Sequence, residues 1–169
     1  MGGEDGYLNP IETRGLRYRF DHYPDVGKLF QMNIGSFREK SYFYDRRFLK
    51  SFEDLACWLK AQGLLRITTL LIGDEVAAVD IGAVWNGCYT VLAGGTNPDF
   101  PGAAKIINFQ HLEWACRQKI ALVDFLCGDF GWKSRFHLQP RPLYLIDTSA
   151  ETDANYNSAE THEFINEKP

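Results

Sequence analysis

The stretch Val123-Asp-Phe-Leu-Cys-Gly-Asp-Phe-Gly-Trp-Lys133 decides the fold of this chain. It begins inside an apolar run, Ala121–Leu126, which only Asp124 interrupts, and such a run is typical of a buried strand. The glycines that follow predict a turn, and this turn carries Asp129, two aromatic residues and Lys133. Because parallel strands need a crossover segment between them, the stretch is interpreted as the end of a strand-helix-strand unit.

The helix of that unit is opened by Asp99-Phe-Pro-Gly-Ala-Ala104 and is expected over 103–119. Proline fixes φ before the helix, and Gly102 lets backbone amides approach a ligand. The exposed N–H groups and the helix dipole then favour a pyrophosphate. The alternative, that Pro-Gly simply starts a helix, stays open. The expected buried stripe consists of Ile106, Phe109, Leu112 and Cys116.

The middle of the chain predicts three antiparallel strands, over 66–72, 75–85 and 88–95, joined by Gly73-Asp74 and Asn86-Gly87. Without a bulge in the second hairpin, Trp85 would face Cys88, Ile81 would face Leu92 and Asp80 would face Ala93. The glycines at 82, 94 and 95 are weak strand formers, so they indicate a bulge or the close approach of a ligand near the end of this meander.

The N-terminal part predicts a strand over 16–20 and a helix over 26–37 with Asp25 as its cap. A capping box at Ser51-Phe-Glu-Asp54 predicts a second helix that ends near Gly63. Its expected buried residues are Phe52, Leu55, Ala56 and Leu59. A short helix around 133–136 and a last strand over 143–147 complete the order β-α-α-β-β-β-α-β-(α)-β, a mixed α/β sheet with helices on its faces.

Composition limits the class of protein. The chain has 169 residues, of which 45% are apolar and 14% aromatic, as expected for one folded domain. We expect that domain over 16–148, after a flexible N-terminus at 1–15. The net charge of −4 comes from the segment 149–169, a polar tail expected to be disordered. The neutral body excludes the broad basic field of a DNA-binding protein and argues against RNA.

Cysteines and histidines give no sign of a metal site or of a disulfide framework. The four cysteines are widely spaced, without a CxxC pair, and are expected to be reduced and mostly buried in a cytoplasmic protein. The histidines at 22, 111, 137 and 162 lack the spacing of metal ligands. No apolar run is long enough to span a bilayer.

The strand-turn-helix-strand unit resembles the acyl-CoA-binding core of the GCN5-related N-acetyltransferase (GNAT) superfamily. In that superfamily, a Gln/Arg-x-x-Gly-x-Gly/Ala segment wraps the pyrophosphate of coenzyme A. Asp99, Gly102 and Ala104 stand at the corresponding positions, so the Gly-x-Ala half matches. Asp99 replaces the usual basic or amide side chain, and Lys105 offers a compensating charge.

A more specific resemblance covers about 26–147. The segments Ala77-Ala78, Pro101-Gly102, Asp124–Asp129 and Trp132-Lys133 are similar to acetyltransferases of bacterial cellulose and exopolysaccharide synthesis, which are related to Fem-type aminoacyltransferases. Members of that branch are usually longer, with two such domains. The chain is therefore interpreted as a fragment, a single-domain relative, or a half that needs a second domain or a homodimer partner.

The resemblance implies direct transfer of an acyl group from acetyl-CoA, or another acyl-CoA, to an amine or hydroxyl of a small-molecule acceptor, without a metal. Backbone amides near Leu92, Ala93 and Gly94 would polarise the thioester carbonyl. The pyrophosphate loop would comprise Phe100, Pro101, Gly102, Ala103, Ala104 and Lys105. A carboxylate, Asp80 or Asp129, or a water chain would accept the proton, and Lys133 would face the substrate. For each of these three charged residues a purely structural role, in a salt bridge, a turn or a solvated surface, is the alternative.

Two other functions stay open at the level of sequence. Aminoacyl transfer from a charged tRNA is implied by the Fem-type relatives, although the neutral body argues against it. A non-catalytic half-domain that binds a partner or an acceptor is suggested by the departures from the family pattern at Asp99 and Trp132.

Overall fold

A computed structural model describes residues 15–127, 131–142 and 144 of the chain. The chain divides into two compact units, one ending at Leu126 and one beginning at Cys127. The predicted flexible N-terminus, the last strand over 143–147 and the acidic tail lie outside the described residues. The expectation of one domain over 16–148 therefore stays a prediction.

The first unit contains five strands and three helices among its described residues. The strands are β1 (Leu16–Phe20), β2 (Leu65–Ile72), β3 (Glu75–Trp85), β4 (Cys88–Thr96) and β5 (Leu122–Asp124). The helices are α1 (Asp25–Phe37), α2 (Arg46–Ala61) and α3 (Ala103–Arg117), with two 3₁₀ turns, Arg38–Lys40 and Tyr42–Tyr44, between α1 and α2. The second unit contains the short helix α4 (Trp132–Arg135). The predicted order of elements is confirmed as far as β5 and α4.

The sheet has the order β1-β2-β3-β4-β5, in which β1 to β4 are antiparallel and β5 is parallel to β4. Alternate side chains of β3 enter two separate cores, as the pleat of a strand requires. Val79 and Ile81 pack against α1 and α2, whereas Ala78 packs against α3. The predicted mixed α/β sheet with helices on its faces is thus confirmed, and the face under α3 also receives Asp80.

Helix α2 begins earlier than the sequence predicts. Asp45 is its N-cap and accepts a hydrogen bond from the amide of Arg47 at 2.8 Å. Ser51, the predicted cap, lies inside the helix, where its hydroxyl donates to the carbonyl of Arg47. The prediction was wrong because Asp45 and Ser51 are both residues that favour an N-cap, and the helix begins at the first of them. Leu55 is exposed, contrary to the prediction, while Ala56 and Leu59 are buried as expected.

The buried stripe of α3 also differs from the prediction. Phe109 and Cys116 are exposed, whereas Ile107, Gln110 and His111 are buried. The helix therefore turns toward the sheet a face that is about one residue away from the expected one, and this face is partly polar. The expectation of mostly buried cysteines is wrong as well, because three of the four are exposed and Cys88 is half-buried.

Strand β5 is shorter and less buried than expected. It pairs with β4 only through Leu122, Val123 and Asp124, and Leu122 is exposed. Asp124 ends the strand, because its carboxylate accepts the amide of Leu126 at 2.8 Å in a local turn. Among the described residues no strand flanks β5 on its outer side, which explains why the apolar run is not enclosed.

A buried carboxylate fixes β1 and β2 against α1. Asp25 is fully buried and accepts two hydrogen bonds from the guanidinium of Arg19, at 2.9 and 2.8 Å, and one from the hydroxyl of Thr69 at 2.7 Å. It starts α1 as its first residue, without the capping bond that the sequence predicted. Burial tends to raise the pKa of Asp25, but the hydrogen bonds from Thr69 and Arg19 bring this pKa below its ordinary value.

Asparagine in place of Asp25 is expected to lower the free energy of unfolding by about 3 kcal/mol, because Arg19 loses its buried partner. Since the folded-state pKa is depressed, the stabilisation is present above the pKa of the unfolded carboxyl, near 3.8, and is lost as the pH falls further. Urea denaturation at pH 7 and pH 3 should show a smaller difference between the two proteins at pH 3. Asp54→Asn, which removes the exposed pair with Lys50, is the control and should cost less than about 1 kcal/mol. Equal losses at both pH values would contradict the role of this carboxylate.

Candidate functional site

Strands β4 and β5 lie side by side over three residue pairs and then separate. Beyond the pairs Cys88–Leu122, Tyr89–Val123 and Thr90–Asp124, strand β5 no longer accompanies β4. From Val91 to Thr96, the edge of β4 that faces away from β3 has no strand partner in the described part of the chain. Backbone groups on such an edge that no side chain of the protein occupies can bind another extended molecule, as in the addition of a strand to a sheet.

A β-bulge lies at the point where the strands separate. The register of β3 with β4 shifts between Ile81 and Gly82, so that Ile81 faces Ala93 and Asp80 faces Gly94, while Trp85 still faces Cys88. The pairing predicted without a bulge is therefore wrong by one residue past this point. Leu92 is the extra residue of the bulge. The alternative expectation, a bulge near the end of the meander, is confirmed.

Two side chains of α1 bind carbonyl groups of β4 beyond the bulge. The amide of Asn33 donates to the carbonyl of Gly94 at 2.8 Å, and the hydroxyl of Ser36 donates to that of Thr96 at 3.3 Å. Asn33 is itself held by the hydroxyl of Ser41, which donates to its Oδ1 at 2.7 Å. Because the N–H and C=O of one strand residue leave on the same side, the amide of Gly94 is expected to face the same edge as its carbonyl.

The start of α3 has the backbone geometry that the sequence predicts. Gly102 has φ of 92°, a conformation that favours glycine, and it immediately precedes the helix. Its carbonyl accepts the amides of Lys105 and Ile106, whereas the amides of Gly102 and Ala104 bind no backbone carbonyl of the described residues. Phe100 and Ala103 are buried against the sheet, which leaves the outer side of the turn accessible. This turn can bind an anion through its amides.

A buried polar chain lies between the sheet and α3. Nε2 of His111 is 2.9 Å from Oδ2 of Asp80, and Nδ1 is 3.1 Å from the hydroxyl of Tyr89. His111 and Tyr89 are fully buried, and Asp80 is 6% exposed. Burial, reinforced by Asp80, raises the pKa of Tyr89 well above its ordinary value. The phenol therefore stays protonated and can donate to Nδ1, which leaves the proton of His111 on Nε2, toward Asp80.

Two of the strand glycines make room for this chain. A Cβ on Gly94 would lie 2.3 Å from Oδ1 of Asp80, and a Cβ on Gly82 would lie 2.5 Å from the ring of Tyr89. The carboxylate of Asp80 thus extends from β3 over Gly94, which belongs to β4, the strand with the open edge. These glycines, which the sequence associated with a bulge or a ligand, serve the close packing of two polar side chains.

The structure brings together only some of the predicted site residues. Asp80 and the segment 92–94 are adjacent, and the loop 100–105 follows β4 at the same end of the sheet. Asp129 lies outside the described residues. Lys133 belongs to the second unit, where it donates to the carbonyl of Cys127 at 3.3 Å. Lys105 is exposed, with its ammonium 5.9 Å from the centroid of the Phe109 ring.

The arrangement defines a class of fold before any comparison: a meander that opens next to a bulge, followed by a helix with an anion-binding start. A profile described as "Acetyltransferase (GNAT) domain" matches residues 8–134. Because this match covers well over half of the sequence, the chain belongs to that family. It is therefore an enzyme of the acetyltransferase class. No curated protein matches the chain.

Solved structures share the fold at low sequence identity. A GCN5-related N-acetyltransferase from Ralstonia eutropha is 15% identical, with a TM-score of 0.60, and the match covers 80% of this chain and all of that one. A predicted acetyltransferase from Clostridium acetobutylicum, solved with acetyl-CoA, is 12% identical over 78% of this chain and 95% of that one, with a TM-score of 0.56. An aminoglycoside acetyltransferase from an uncultured soil metagenomic sample, in complex with sisomicin, is 12% identical over 82% and 98%, with a TM-score of 0.56.

Two other classes of site are absent from the described residues. No helix among them has the length and apolarity needed to cross a membrane. They contain no group of three or more His, Cys, Asp or Glu side chains that could hold a metal ion.

Proposed function

We propose that the chain transfers an acetyl group from acetyl-CoA to an amine or hydroxyl of a small-molecule acceptor, such as a sugar, an amino acid or a cell-envelope precursor. The observation that carries this proposal is the open edge of β4 at 91–96, which leads to the anion-binding turn at Gly102. An extended pantetheine chain fits such an edge, and its pyrophosphate would bind the amides of the turn. The cytoplasmic location that the sequence suggested stays a prediction.

In this mechanism the acceptor nitrogen or oxygen attacks the thioester carbon, and coenzyme A leaves as the thiolate. The amide of Gly94 would donate to the carbonyl oxygen as negative charge develops on it. Asn33 holds the carbonyl of the same residue, so it would fix the direction of that peptide group. The proton of the acceptor would pass to Asp80, whose carboxylate lies over Gly94. The other oxygen of this carboxylate is hydrogen-bonded to Nε2 of His111. Asp129 and Lys133 stay candidates for contacts with the acceptor.

The choice of acceptor follows from chemistry rather than from any one neighbour. An amine attacks a thioester only after losing its proton, and a buried carboxylate next to the thioester suits that step. The structural neighbour solved with sisomicin carries the name of an aminoglycoside acetyltransferase, so amino sugars are reasonable first acceptors to test. A role in exopolysaccharide synthesis, which the resemblance implied, remains a narrower form of the same proposal.

The test measures release of thiol from acetyl-CoA in the presence of amino sugars, amino acids and simple sugars. We expect turnover with at least one acceptor, and Asp80→Asn should lower kcat at least about 100-fold while the Kd of acetyl-CoA changes little. Asp74→Asn, at a fully exposed carboxylate in the turn before β3, is the matched control and should leave kcat unchanged. Unchanged kcat in Asp80→Asn would remove this residue from the mechanism. Failure of the native protein to bind acetyl-CoA would overturn the proposal as a whole and would favour the partner-binding half-domain.

A further inference from the structure

A cavity lies where β2 begins and α3 ends. It has a volume of about 330 Å³, and its lining includes Asp21, Leu65, Arg66, Val84, Trp114 and Ile120. Trp114 stands eleven positions after Ala103, the first residue of α3, and a helix rises by about 1.5 Å per residue, which places the two roughly 16 Å apart along the helix. The cavity is therefore separate from the anion-binding turn at the other end of the same helix.

An arginine whose buried Nε has no hydrogen-bond partner among the described residues forms part of this cavity, and its guanidinium also makes a side-chain hydrogen bond with Tyr89. Arg66 is 8% exposed, and its guanidinium carbon lies 3.6 Å from the centroid of the Trp114 ring and 4.9 Å from that of Phe20. Within the described residues, its buried Nε has no hydrogen-bond partner, and no carboxylate lies within ion-pair distance of the side chain. Burial lowers the pKa of Arg66, with Tyr89 and Asp21 acting in the opposite direction.

A guanidinium has five N–H donors, so one that stacks on aromatic rings and binds one hydroxyl keeps further donors for a planar anion. Burying such a charge without a counter-ion is costly, so a bound carboxylate would supply what the folded chain lacks. A carboxylate can also accept two parallel hydrogen bonds from this group. The part of the cavity near Arg66 thus matches a carboxylate more closely than a neutral ligand.

The rim of the cavity carries the opposite charge. Asp21 is exposed, and its Oδ1 accepts the amide of Ile67 at 3.0 Å, while its second oxygen has no hydrogen-bond partner among the residues described. The lining also includes the aliphatic side chains of Leu65, Val84 and Ile120. A dianion would be repelled by Asp21, whereas a ligand with a cationic group beside its carboxylate would satisfy both charges.

We propose that this cavity binds an α-amino acid with an apolar side chain. The carboxylate of the ligand binds Arg66, its ammonium lies near Asp21, and its side chain packs on the aliphatic lining and on Trp114. Neither Arg66 nor Asp21 belongs to the region around Gly94 and Gly102, and among the described residues the cavity touches the buried polar chain only through Tyr89, which contacts Arg66 and Trp114.

Isothermal titration with three matched compounds tests this proposal. L-leucine carries both charges, 4-methylpentanoate lacks the ammonium, and isopentylamine lacks the carboxylate. We expect leucine to bind with a Kd on the order of 1 mM or tighter, 4-methylpentanoate to bind at least about 5-fold more weakly, and the amine to give no measurable heat. Acetyl-CoA is titrated into the same preparations, so that loss of this site is distinguished from loss of the proposed function.

Two variants test separately whether Arg66 binds the carboxylate and whether Asp21 binds the ammonium. Arg66→Gln should abolish binding of both carboxylates. Asp21→Asn should weaken leucine about 5-fold and leave 4-methylpentanoate unchanged; asparagine tolerates the φ of 54° at this position and can still accept the amide of Ile67. Arg17→Gln, at an exposed arginine of β1, is the control and should bind leucine normally. No binding of leucine to the native protein, equal binding by Arg66→Gln, or equal affinities for leucine and 4-methylpentanoate would overturn the proposal. If Arg66→Gln does not fold, Asp21→Asn and the ligand series decide it alone.

Discussion

Glutamate in place of Gly102 should weaken the binding of acetyl-CoA at least about 100-fold, which corresponds to about 2.7 kcal/mol of binding free energy. Two effects act together at this residue. The φ of 92° is unfavourable for any residue with a Cβ, and the new carboxylate would lie where the pyrophosphate binds the amides at the start of α3. Isothermal titration of acetyl-CoA into the native protein and the variant measures the effect directly.

The control for this experiment is Gly63→Glu. Gly63 also has a positive φ, of 68°, no atom of the described residues lies within 4 Å of a Cβ built there, and it follows α2, away from the turn at Gly102. The Gly63→Glu variant therefore introduces the same charge and a comparable backbone strain away from the proposed pyrophosphate site, and acetyl-CoA should bind to it normally. A further variant, Gly102→Ala, separates strain from charge and should lose less affinity than Gly102→Glu. Equal affinities of the native protein and Gly102→Glu would show that this turn does not hold the pyrophosphate.

Alanine in place of Gly95 should destabilise the fold by about 3 kcal/mol. A Cβ at this position would lie 2.4 Å from the carbonyl oxygen of Leu29, which is backbone of α1 and cannot rotate away. The helix would have to move off the sheet, and the core around Leu29 and Phe30 would open with it. Urea denaturation followed by circular dichroism gives the free energy of unfolding for this comparison.

Gly35→Ala provides the matched comparison. Gly35 lies in α1, and nothing among the described residues comes within 4 Å of an added Cβ, so the variant should gain about 0.5 to 1 kcal/mol from the lower cost of ordering alanine in a helix. The same substitution should therefore have opposite signs at two glycines of neighbouring elements. A loss below about 0.5 kcal/mol in Gly95→Ala would mean that α1 is not held as closely against β4 as the distance indicates.

Local signals in the sequence were sufficient for most of the fold. Asn86-Gly87 predicted a tight hairpin, and both residues adopt positive φ, 47° and 73°, as that turn requires. The glycines of β4 indicated a bulge, although not its position at Leu92. The start of α3 was predicted within one residue, because Pro101 and Gly102 leave few alternatives for the backbone.

The buried chain of Asp80, His111 and Tyr89 could not be predicted in the same way. Its members come from β3, α3 and β4, and nothing local in the sequence links a histidine on a helix to an aspartate 31 positions earlier. The sequence did not show which face of α3 packs against the sheet. The expected stripe through Phe109 would place His111 toward the side of the helix rather than against the sheet. One signal was present in the sequence: a carboxylate on a central strand beside glycines needs a partner, and α3 is the element that covers this face.

The close approach of Asp80 to Gly94 also restricts how the sequence can change over evolutionary time. A side chain at position 94 is tolerated only after the carboxylate at position 80 has been lost or shortened, because the two would occupy the same space. The opposite order is also unfavourable, since loss of Asp80 alone leaves Nε2 of His111 buried without an acceptor. The two positions are therefore epistatic: an allowed exchange at one depends on the residue already present at the other.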